Sequence, residues 1–333
     1  MVRAAIDNGL AMPTDALSAS SDAPARDHGL FRSLLERCAG LDPLVTAVVH
    51  PCDPVSLAGA VEAAEKGLIA PILVGPEPKI RAAAQDAGLD ISAYTLVATP
   101  HSHAAAAKAV ALVRCGDAVM LMKGSLHTDE LMHEVVAKET GLRTARRISH
   151  AFLVDVDHYP RPLLITDAAI NVIPTLTDKR DIVQNAIDLA HVLGIANPRV
   201  AILSAIETVT PKLPSTIDAA ALCKMADRGQ ITGGRVDGPL AFDNAISPEA
   251  AREKGIVSDV AGLADVLVAP DLEAGNMLVK QLTFLAGADA AGVVLGPRSP
   301  VVLTSRADRP EARVAACAVG LLMVHNRAPA VAA

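Results

Sequence analysis

The chain has 333 residues, of which 51% are hydrophobic, and its 30 Lys and Arg against 37 Asp and Glu give a net charge of −7. This length predicts two domains, and the apolar content is sufficient for two buried cores, which excludes a disordered or fibrous chain. The acidic balance and the small aromatic set (four Phe, two Tyr and no Trp) argue against a nucleic-acid-binding protein.

The five cysteines stand singly and form no CxxC pair, which argues against a thiolate zinc site or a disulfide framework and predicts a reducing cytoplasm. The longest uncharged apolar run covers only residues 314–324. It is shorter than the roughly 18 residues that a bilayer span needs, so we expect no membrane segment. Residues 1–28 lack a basic start followed by an apolar stretch and are interpreted as a flexible tail, not a signal peptide.

The pattern of apolar residues predicts alternating elements along the first half of the chain. A helix at 31–39 precedes strands at 44–53, 70–76, 94–100 and 118–124, which alternate with helices at 53–67, 79–88 and 103–116. Gly67 is the predicted stop of the first of these three helices. Such alternation is typical of a parallel sheet covered on both faces.

A second series begins near residue 149. Its predicted strands are 148–156, 162–168, 199–205 and 265–271, and its predicted helices are 179–193, 215–228 and 276–285. Residues 232–255 contain four glycines and two prolines and are interpreted as a loop-rich insertion. Residues 299–324 predict a strand, a turn and a long apolar helix.

The turn in residues 304–313 has the sequence TSRADRPEAR and lies between that strand and that helix. Asp308 and Glu311 form a pattern similar to a capping box, so Asp308 is either a helix cap or a reacting group. Capping does not explain Arg306, whose guanidinium beside helix-terminal amides indicates an anion site or an oxyanion stabiliser. Ser305 is then placed to hydrogen-bond a reacting carbonyl or thiol.

Residues 123–130, KGSLHTDE, form another strand-to-helix turn. Lys123, Gly124, Ser125 and Thr128 suit phosphate binding, because glycine allows close approach and the other groups donate hydrogen bonds. The alternative is a simple turn with Thr128 as N-cap. The sequence contains no Walker P-loop and no GxGxxG after a strand.

Two acid- and histidine-containing segments are weak metal-site candidates. His101 and His103 form an HxH, and residues 155–158 read DVDH. Neither segment has a companion ligand at diagnostic spacing, so solvated turn residues are the favoured interpretation and no metal site is predicted.

Several segments resemble the phosphate acetyl/butyryl transferases, and the resemblance extends from residue 30 to the C-terminus. The most specific are PDLEAGNMLVKQLTFLAGADAAGVVLG at 270–296, PVVLTSRADRPEARVAACA at 300–318 and VDGPLAFDNAISPE at 236–249. NPRVAILSAIE at 197–207 and KGSLHTDEL at 123–131 are less specific and occur in the expected order.

The resemblance implies an α/β fold of two doubly wound α/β domains with a cleft between them, an architecture similar to isocitrate/isopropylmalate dehydrogenases. Residues 29–150 and 300–333 would form the first domain and residues 151–299 a second, inserted one. It further implies transfer of a short-chain acyl group between coenzyme A and inorganic phosphate, without metal, cofactor or prosthetic group. A homodimer or higher homo-oligomer is expected, with the apolar last helix as a candidate interface.

The family pattern also implies roles for residues of the two turns. Ser305 and Arg306 match the Ser-Arg pair of the acetyl branch, but Ala312 stands where that branch has its thiol-deprotonating acid. Asp308 or Glu311 would substitute, and this departure resembles the butyryl-type branch. Met132 stands about where the acetyl branch has an arginine, so Lys123 or Arg298 would serve the phosphate instead.

Two other functions stay open from the sequence. One is a metal- and NAD-dependent decarboxylating dehydrogenase of similar architecture, which needs a metal-binding set and a nucleotide site that the sequence does not supply. The other is a non-catalytic acyl-CoA-binding protein, which the absence of an acid at Ala312 favours.

Overall fold

The computed structural model describes residues 29–157, 159–304 and 310–326, which form an α/β fold around one eleven-stranded sheet. The strands are β1 Leu44–Val49, β2 Ile69–Gly75, β3 Thr95–Ala98, β4 Met120–Lys123, β5 Ser149–Asp155, β6 Leu163–Thr166, β7 Arg199–Leu203, β8 Arg235–Leu240, β9 Val266–Val268, β10 Asp289–Leu295 and β11 Val301–Val302. The helices are α1 Gly29–Cys38, α2 Pro54–Glu65, α3 Glu77–Ala87, α4 Ser102–Cys115, α5 Thr128–Val136, α6 Leu176–Val192, α7 Pro214–Asp227, α8 Phe242–Ile246, α9 Pro248–Glu253, α10 Leu272–Leu285 and α11 Pro310–His325.

Helices cover both faces of the sheet, as the sequence predicts. Val48 of β1 packs with apolar residues of α2 and α11, whereas its neighbours Ala47 and Val49 pack with α4 on the opposite face. In β7, Ile202 likewise faces the α6 and α7 side, and Ala201 faces the side of α8, α9 and α10. Successive side chains of a strand point to opposite faces, so each strand contributes to two cores.

The first four strands are parallel to one another, as predicted, but the sheet as a whole is mixed. The strand order is β3-β2-β1-β4-β11-β10-β5-β6-β9-β7-β8, and the three contacts β11–β10, β10–β5 and β5–β6 are antiparallel. The other pairs are parallel. The antiparallel strands lie in the middle of the sheet, between a parallel block made of β1–β4 with β11 and a second parallel block made of β6–β9.

Residues 232–255 are also not a loop-rich insertion. They contain β8, which extends the sheet beside β7, and the short helices α8 and α9. The predicted helix at 276–285 begins earlier, at Leu272, where Asp271 accepts a hydrogen bond from the Ala274 N–H. Gly67, with φ of 71°, follows α2 as the predicted stop.

The last two elements return to the first half of the sheet. β11 pairs with β4, and α11 packs against α1, α2 and β10. The apolar residues of α11 are buried in the core: Val314, Val319 and Leu321 are at most 3% exposed, and Cys317 is fully buried. The candidate interface on this helix is therefore wrong, because its apolar face is already covered within the chain.

The division into two domains stays a prediction. Arg37 of α1 connects distant parts of the chain, because its guanidinium donates to the carbonyl oxygens of Val192 and Leu193 at the end of α6, at 2.7 and 2.8 Å.

Among the described residues, no helix combines the length and the apolar character that crossing a membrane requires.

Candidate active site

The carboxyl ends of β1 and β4 form a topological switch point. From β1 the chain runs to β2 and β3 on one side, and β4 then lies on the other side of β1. Ligands of doubly wound sheets bind at such a point, outside the carboxyl ends of the strands. The two turns found there follow β1 and β4, and the second is the predicted KGSLHT turn.

Backbone hydrogen bonds join these two turns. Gly124 N–H donates to Val49 O, and Ser125 N–H donates to His50 O, both at 2.9 Å. A Cβ on Gly124 would collide with the Val49 carbonyl oxygen, so only glycine permits this approach. The close approach predicted for Gly124 was to a bound phosphate and stays a prediction, whereas the approach described here is between two turns of the chain itself.

The hydroxyl of Ser125 is held by the turn after β1. Its Oγ donates to His50 O at 2.8 Å, accepts from Cys52 N–H at 3.2 Å and lies 3.1 Å from Nδ1 of His50. Among the residues described, His50 is the non-glycine residue with positive φ, at 54°. The hydroxyl predicted to bind phosphate therefore connects the two turns. A lone His and Ser so far apart in sequence gave no signal of this contact.

Titratable groups beside the turns are held in uncharged forms. Burial lowers the pKa of His50, and the nearby charge of Lys79 lowers it further. Burial also raises the pKa of the Cys52 thiol to about 11, so this thiol is protonated at neutral pH. Neither group therefore adds a charge to this edge of the sheet under ordinary conditions.

A cavity of about 440 Å³ opens beside the KGSLHT turn. Predicted site residues Lys123 and Thr128 line it together with Thr304, the residue before Ser305. The remaining lining residues come from both halves of the sheet and from α10: Leu126, His127, Phe152, Ala169, Leu272, Asn276, Val279, Lys280, Thr283, Phe284, Ala290 and Leu303. The structure thus brings Lys123 and Thr128 of the first predicted turn to the same cavity as Thr304, the first residue of the second.

The charge of this cavity is opposite to that of the chain. Its described lining includes Lys123, Lys280 and His127 but no Asp or Glu, although the net charge of the chain is −7. Lys123 is only 4% exposed, and its Nζ lies 3.4 Å from Gly124 O. A largely apolar wall that carries two lysines suits a ligand that joins an anionic group to an apolar one.

Residues of α10 were missed as site residues, although the resemblance rested partly on this segment. Asn276, Lys280 and Phe284 are spaced four residues apart, which places them on one face of a helix, and all three line the cavity. That spacing was a readable signal. Gly275 lets α10 approach the turn after β6, since a Cβ there would collide with Asp167 O, and Asn276 Nδ2 donates to Ala168 O at 3.1 Å.

The Ser305–Arg306–Asp308 segment lies outside the described residues, so its predicted roles stay predictions. Its neighbours on both sides are described. Thr304 is 2% exposed at the end of β11, and Ala312, which stands at the position of the acetyl-branch acid, is buried on α11. Met132, at the position of the missing arginine, is a buried core residue of α5.

Two predicted site residues lie away from the cavity. Glu311 is exposed and lines a different cavity, of about 320 Å³, among α1, α2 and α11. Arg298 is exposed in the loop that enters β11, whereas Lys123 and Thr304 follow the carboxyl ends of their strands. Neither residue lines the cavity of Lys123 and Thr128.

The candidate metal ligands have structural roles. Nδ1 of His101 accepts from the Ala104 N–H as the N-cap of α4, and Nε2 of His103 lies 3.7 Å from Glu130 Oε2. His158 lies outside the described residues. Within the described ranges, no group of three or more His, Cys, Asp or Glu is arranged to hold a metal ion.

Thr128 is not the N-cap of α5, because the helix begins at Thr128 and His127 precedes it as the cap.

Comparison with known proteins identifies one family. Residues 98–320 match the family model described as phosphate acetyl/butaryl transferase. A phosphate acetyltransferase of Rhizobium meliloti is 67% identical over 285 residues, covering 86% of this chain and 90% of that protein. A phosphate butyryltransferase of Clostridium acetobutylicum is 41% identical over 297 residues, covering 89% of this chain and 99% of that protein.

Solved structures agree with this result. A branched-chain phosphotransacylase from Enterococcus faecalis V583 has a TM-score of 0.74 at 31% identity, covering 85% of this chain and all of that one. A phosphotransacetylase from Streptococcus pyogenes, at 23% identity and a TM-score of 0.76, shows the same fold over 91% of this chain and all of that one.

Proposed function

Because the chain belongs to the phosphate acetyl/butyryl transferase family, we propose that it transfers a short-chain acyl group between coenzyme A and inorganic phosphate. The reaction is acyl-CoA + phosphate ⇌ acyl phosphate + CoA, and the chain is accordingly an acyltransferase. Acetyl is the first acyl group to test, since the identity to a named acetyltransferase, 67%, exceeds the 41% to a named butyryltransferase.

The observation that carries this function is the cavity that Lys123, Thr128 and Thr304 line. Both substrates of the reaction join phosphate groups to less polar parts, and the described lining combines basic side chains with Phe152, Leu303 and other apolar ones. The cavity takes its walls from β4 and α5 on one side and from β5 and α10 on the other. This supports the finer fold assignment, two doubly wound domains with a cleft between them.

In the forward direction a phosphate oxygen attacks the thioester carbonyl, and the C–S bond then breaks to release CoA as a thiolate. The reverse reaction begins with attack of the thiolate on the acyl phosphate. Both directions pass through a tetrahedral oxyanion. Arg306 would stabilise that charge and Ser305 would orient the sulfur or the oxyanion.

Proton and phosphate handling are assigned to the remaining candidates. Asp308, with Glu311 as the second choice, would accept the thiol proton. Lys123 and the turn that contains Ser125 and Thr128 would hold phosphate at the cavity wall, joined by Lys280 and Asn276 of α10. No covalent enzyme intermediate is needed, because a cleft that holds both substrates in contact supplies the proximity.

We infer no metal or prosthetic group for this reaction, and a homodimer or higher homo-oligomer for the assembly. A cytoplasmic location is inferred from the five cysteines, all of which are free thiols.

The test is thioester cleavage with acetyl-, propionyl-, butyryl- and longer acyl-CoAs, with and without phosphate. We expect CoA release that requires phosphate, with one equivalent of acyl phosphate trapped as the hydroxamate by hydroxylamine. CoA binding without turnover would support the binding-protein alternative. NAD reduction that depends on Mg²⁺ or Zn²⁺ would support the dehydrogenase.

A further inference from the structure

Helix α11 carries one buried cation within an otherwise apolar stretch. Arg313 is 2% exposed, and the residues that follow it, Val314 to Leu322, are core residues. Burying a guanidinium is unfavourable unless hydrogen bonds and nearby charges compensate for the lost hydration. The proposed function assigns no role to Arg313.

The guanidinium of Arg313 holds the end of β11. Its Nη1 donates to Oγ1 of Thr304 at 2.8 Å, and Thr304 is itself 2% exposed. Thr304 lines the cavity with Lys123 and is the residue directly before Ser305. Consecutive Cα atoms are about 3.8 Å apart, so fixing Thr304 fixes the point at which the Ser305–Arg306 segment begins.

Helix α2 is shaped to accommodate this side chain. A Cβ on Gly59 would lie 2.5 Å from Cδ and 3.3 Å from Cβ of Arg313. The aliphatic part of Arg313 therefore lies directly against Gly59, in the middle of a helix where glycine is otherwise unfavourable. The charge of Arg313 also acts on Asp53, the N-cap of the same helix. Burial alone would raise the pKa of Asp53, but hydrogen bonds from Ser56 and Val55 and the charge of Arg313 lower it.

We propose that Arg313 is a positioning residue for acyl transfer, which holds Thr304 at the cavity wall directly before the predicted Ser305–Arg306 pair, and that Gly59 provides the space that the side chain of Arg313 occupies. The proposal rests on the function proposed above. Arg313 reaches the reacting atoms only through Thr304, so its loss should affect turnover more than substrate affinity. A displacement of about 1 Å in a reacting group costs up to about 100-fold in rate.

The first experiment compares Arg313→Lys, Arg313→Met and Thr304→Val in the phosphate-dependent thioester assay. We expect Arg313→Met to lower kcat at least tenfold, with KM for CoA and phosphate changed less than about threefold. Lys keeps the charge but not the planar donor geometry, so it should restore only part of kcat. Thr304→Val, which removes only the hydroxyl acceptor, should shift kcat in the same direction. The control is Arg252→Met, an exposed arginine of α9.

The second experiment changes the position of Arg313 without changing its chemistry. Gly59→Ala adds one methyl group against Cδ of Arg313 and improves the helix propensity of α2. We expect a lower kcat without a lower melting temperature. In an Arg313→Ala background the methyl group has no long side chain to displace, so Gly59→Ala should cause no further loss of kcat.

The outcomes separate this inference from the proposed function. Failure of the wild-type chain to cleave any acyl-CoA with phosphate would reject the function itself. An active wild type whose Gly59→Ala and Thr304→Val variants both keep full kcat would reject the positioning role. The positioning role would also be rejected if Gly59→Ala caused the same fold loss of kcat in the wild-type and Arg313→Ala backgrounds. Such additivity would mean that the two sites act independently.

Discussion

Nδ1 of His50 lies 3.1 Å from Oγ of Ser125, and this contact joins the turn after β1 to the turn after β4. The same Oγ accepts the Cys52 N–H and donates to His50 O. Ser125→Ala would remove all three contacts. We expect the free energy of unfolding to fall by about 0.5–1.5 kcal/mol, because the hydroxyl contacts are lost while the Cys52 N–H and the Ser125 N–H still donate to His50 O.

Urea denaturation measures this loss, and Ser33→Ala on the exposed side of α1 is the matched control. A Ser125→Ala variant as stable as the wild type would mean that this hydroxyl does not hold the turns together. Its KM for phosphate, measured in parallel, shows whether the same turn also contacts the substrate.

The pKa of His50 predicts how stability depends on pH. Burial and the charge of Lys79 lower this pKa in the folded chain, so folding favours the neutral imidazole. The contribution is complete above the unfolded pKa of about 6.5 and is lost as the pH falls through that value towards the lower, folded one. We therefore expect the stability difference between wild type and His50→Asn to shift against the wild type from pH 8 to pH 5.

Asparagine is the suitable replacement because it tolerates the left-handed backbone conformation of His50. His150, whose burial also lowers its pKa, is present in both proteins and cancels in the difference. A stability difference that stays constant across this pH range would show that His50 has an ordinary pKa.

Substitutions of Arg306 and of Arg298 are expected to have very different effects on the kinetics of acyl transfer. Arg306→Ala should lower kcat by about 10²–10³, the usual cost of losing one oxyanion donor, with a smaller change in CoA affinity. Arg298 is exposed and does not line the cavity, so Arg298→Ala should change KM for phosphate by less than about twofold. Steady-state kinetics on folded variants distinguish the two, and near-normal turnover of Arg306→Ala would remove this residue from the mechanism.

Asp308 is either the thiol base, the helix cap or both. Asn caps a helix about as well as Asp, whereas Ala loses about 0.5–2 kcal/mol. Asn cannot accept the proton. If Asp308 is the base, Asp308→Asn should therefore lower turnover by about 10²–10⁴-fold without a loss of stability. Glu311→Gln tests the second acid. If both variants keep full turnover at every pH, solvent or the phosphate substrate takes the proton.

Activity is expected to be independent of metal ions. No predicted or observed cluster in the described part of the chain has the ligands for a metal site. Dialysis against EDTA should leave the phosphate-dependent cleavage rate unchanged, and added Mg²⁺ or Zn²⁺ should not stimulate it. A stoichiometric metal whose removal abolishes turnover would contradict the proposed chemistry.

Much of the fold is readable because buried strands are short apolar runs. β1, β2, β3 and β4 all fall within or beside predicted strands, and the helices between them have clear apolar spacing. β8 and β10 were missed, since Gly238 and Pro239 interrupt the first and the residues Ala290, Ala291 and Gly292 give the second little apolar character.

The lengths of two connections predict two of the three antiparallel pairs, although the alternation of strands and helices favoured parallel strands. Parallel neighbours need a crossover of about a dozen residues or more, but only residues 156–162 separate β5 from β6, and only residues 296–300 separate β10 from β11. Such short connections allow only antiparallel neighbours. Connection length therefore predicts strand direction here better than the sequence of element types.

The candidate site was predicted in part. Lys123 and Thr128 were found because their turn follows a strand, and the cavity confirms that they lie together with Thr304. The burial of Arg313 had no clear signal, because an arginine at the start of an apolar run is usually exposed. The contact of Arg313 with Gly59 had none, because it depends on how α2 and α11 cross.

The pairing of β11 with β4 has a consequence for synthesis of the chain. Until β11 is made, β4 is an open strand edge, and α2 lacks its cover, α11. The first four strands therefore cannot complete the core on their α2 side while the ribosome is still producing the elements from β5 to β10. Unpaired edges and uncovered apolar faces promote aggregation, so a nascent chain at this stage is the form most dependent on chaperones.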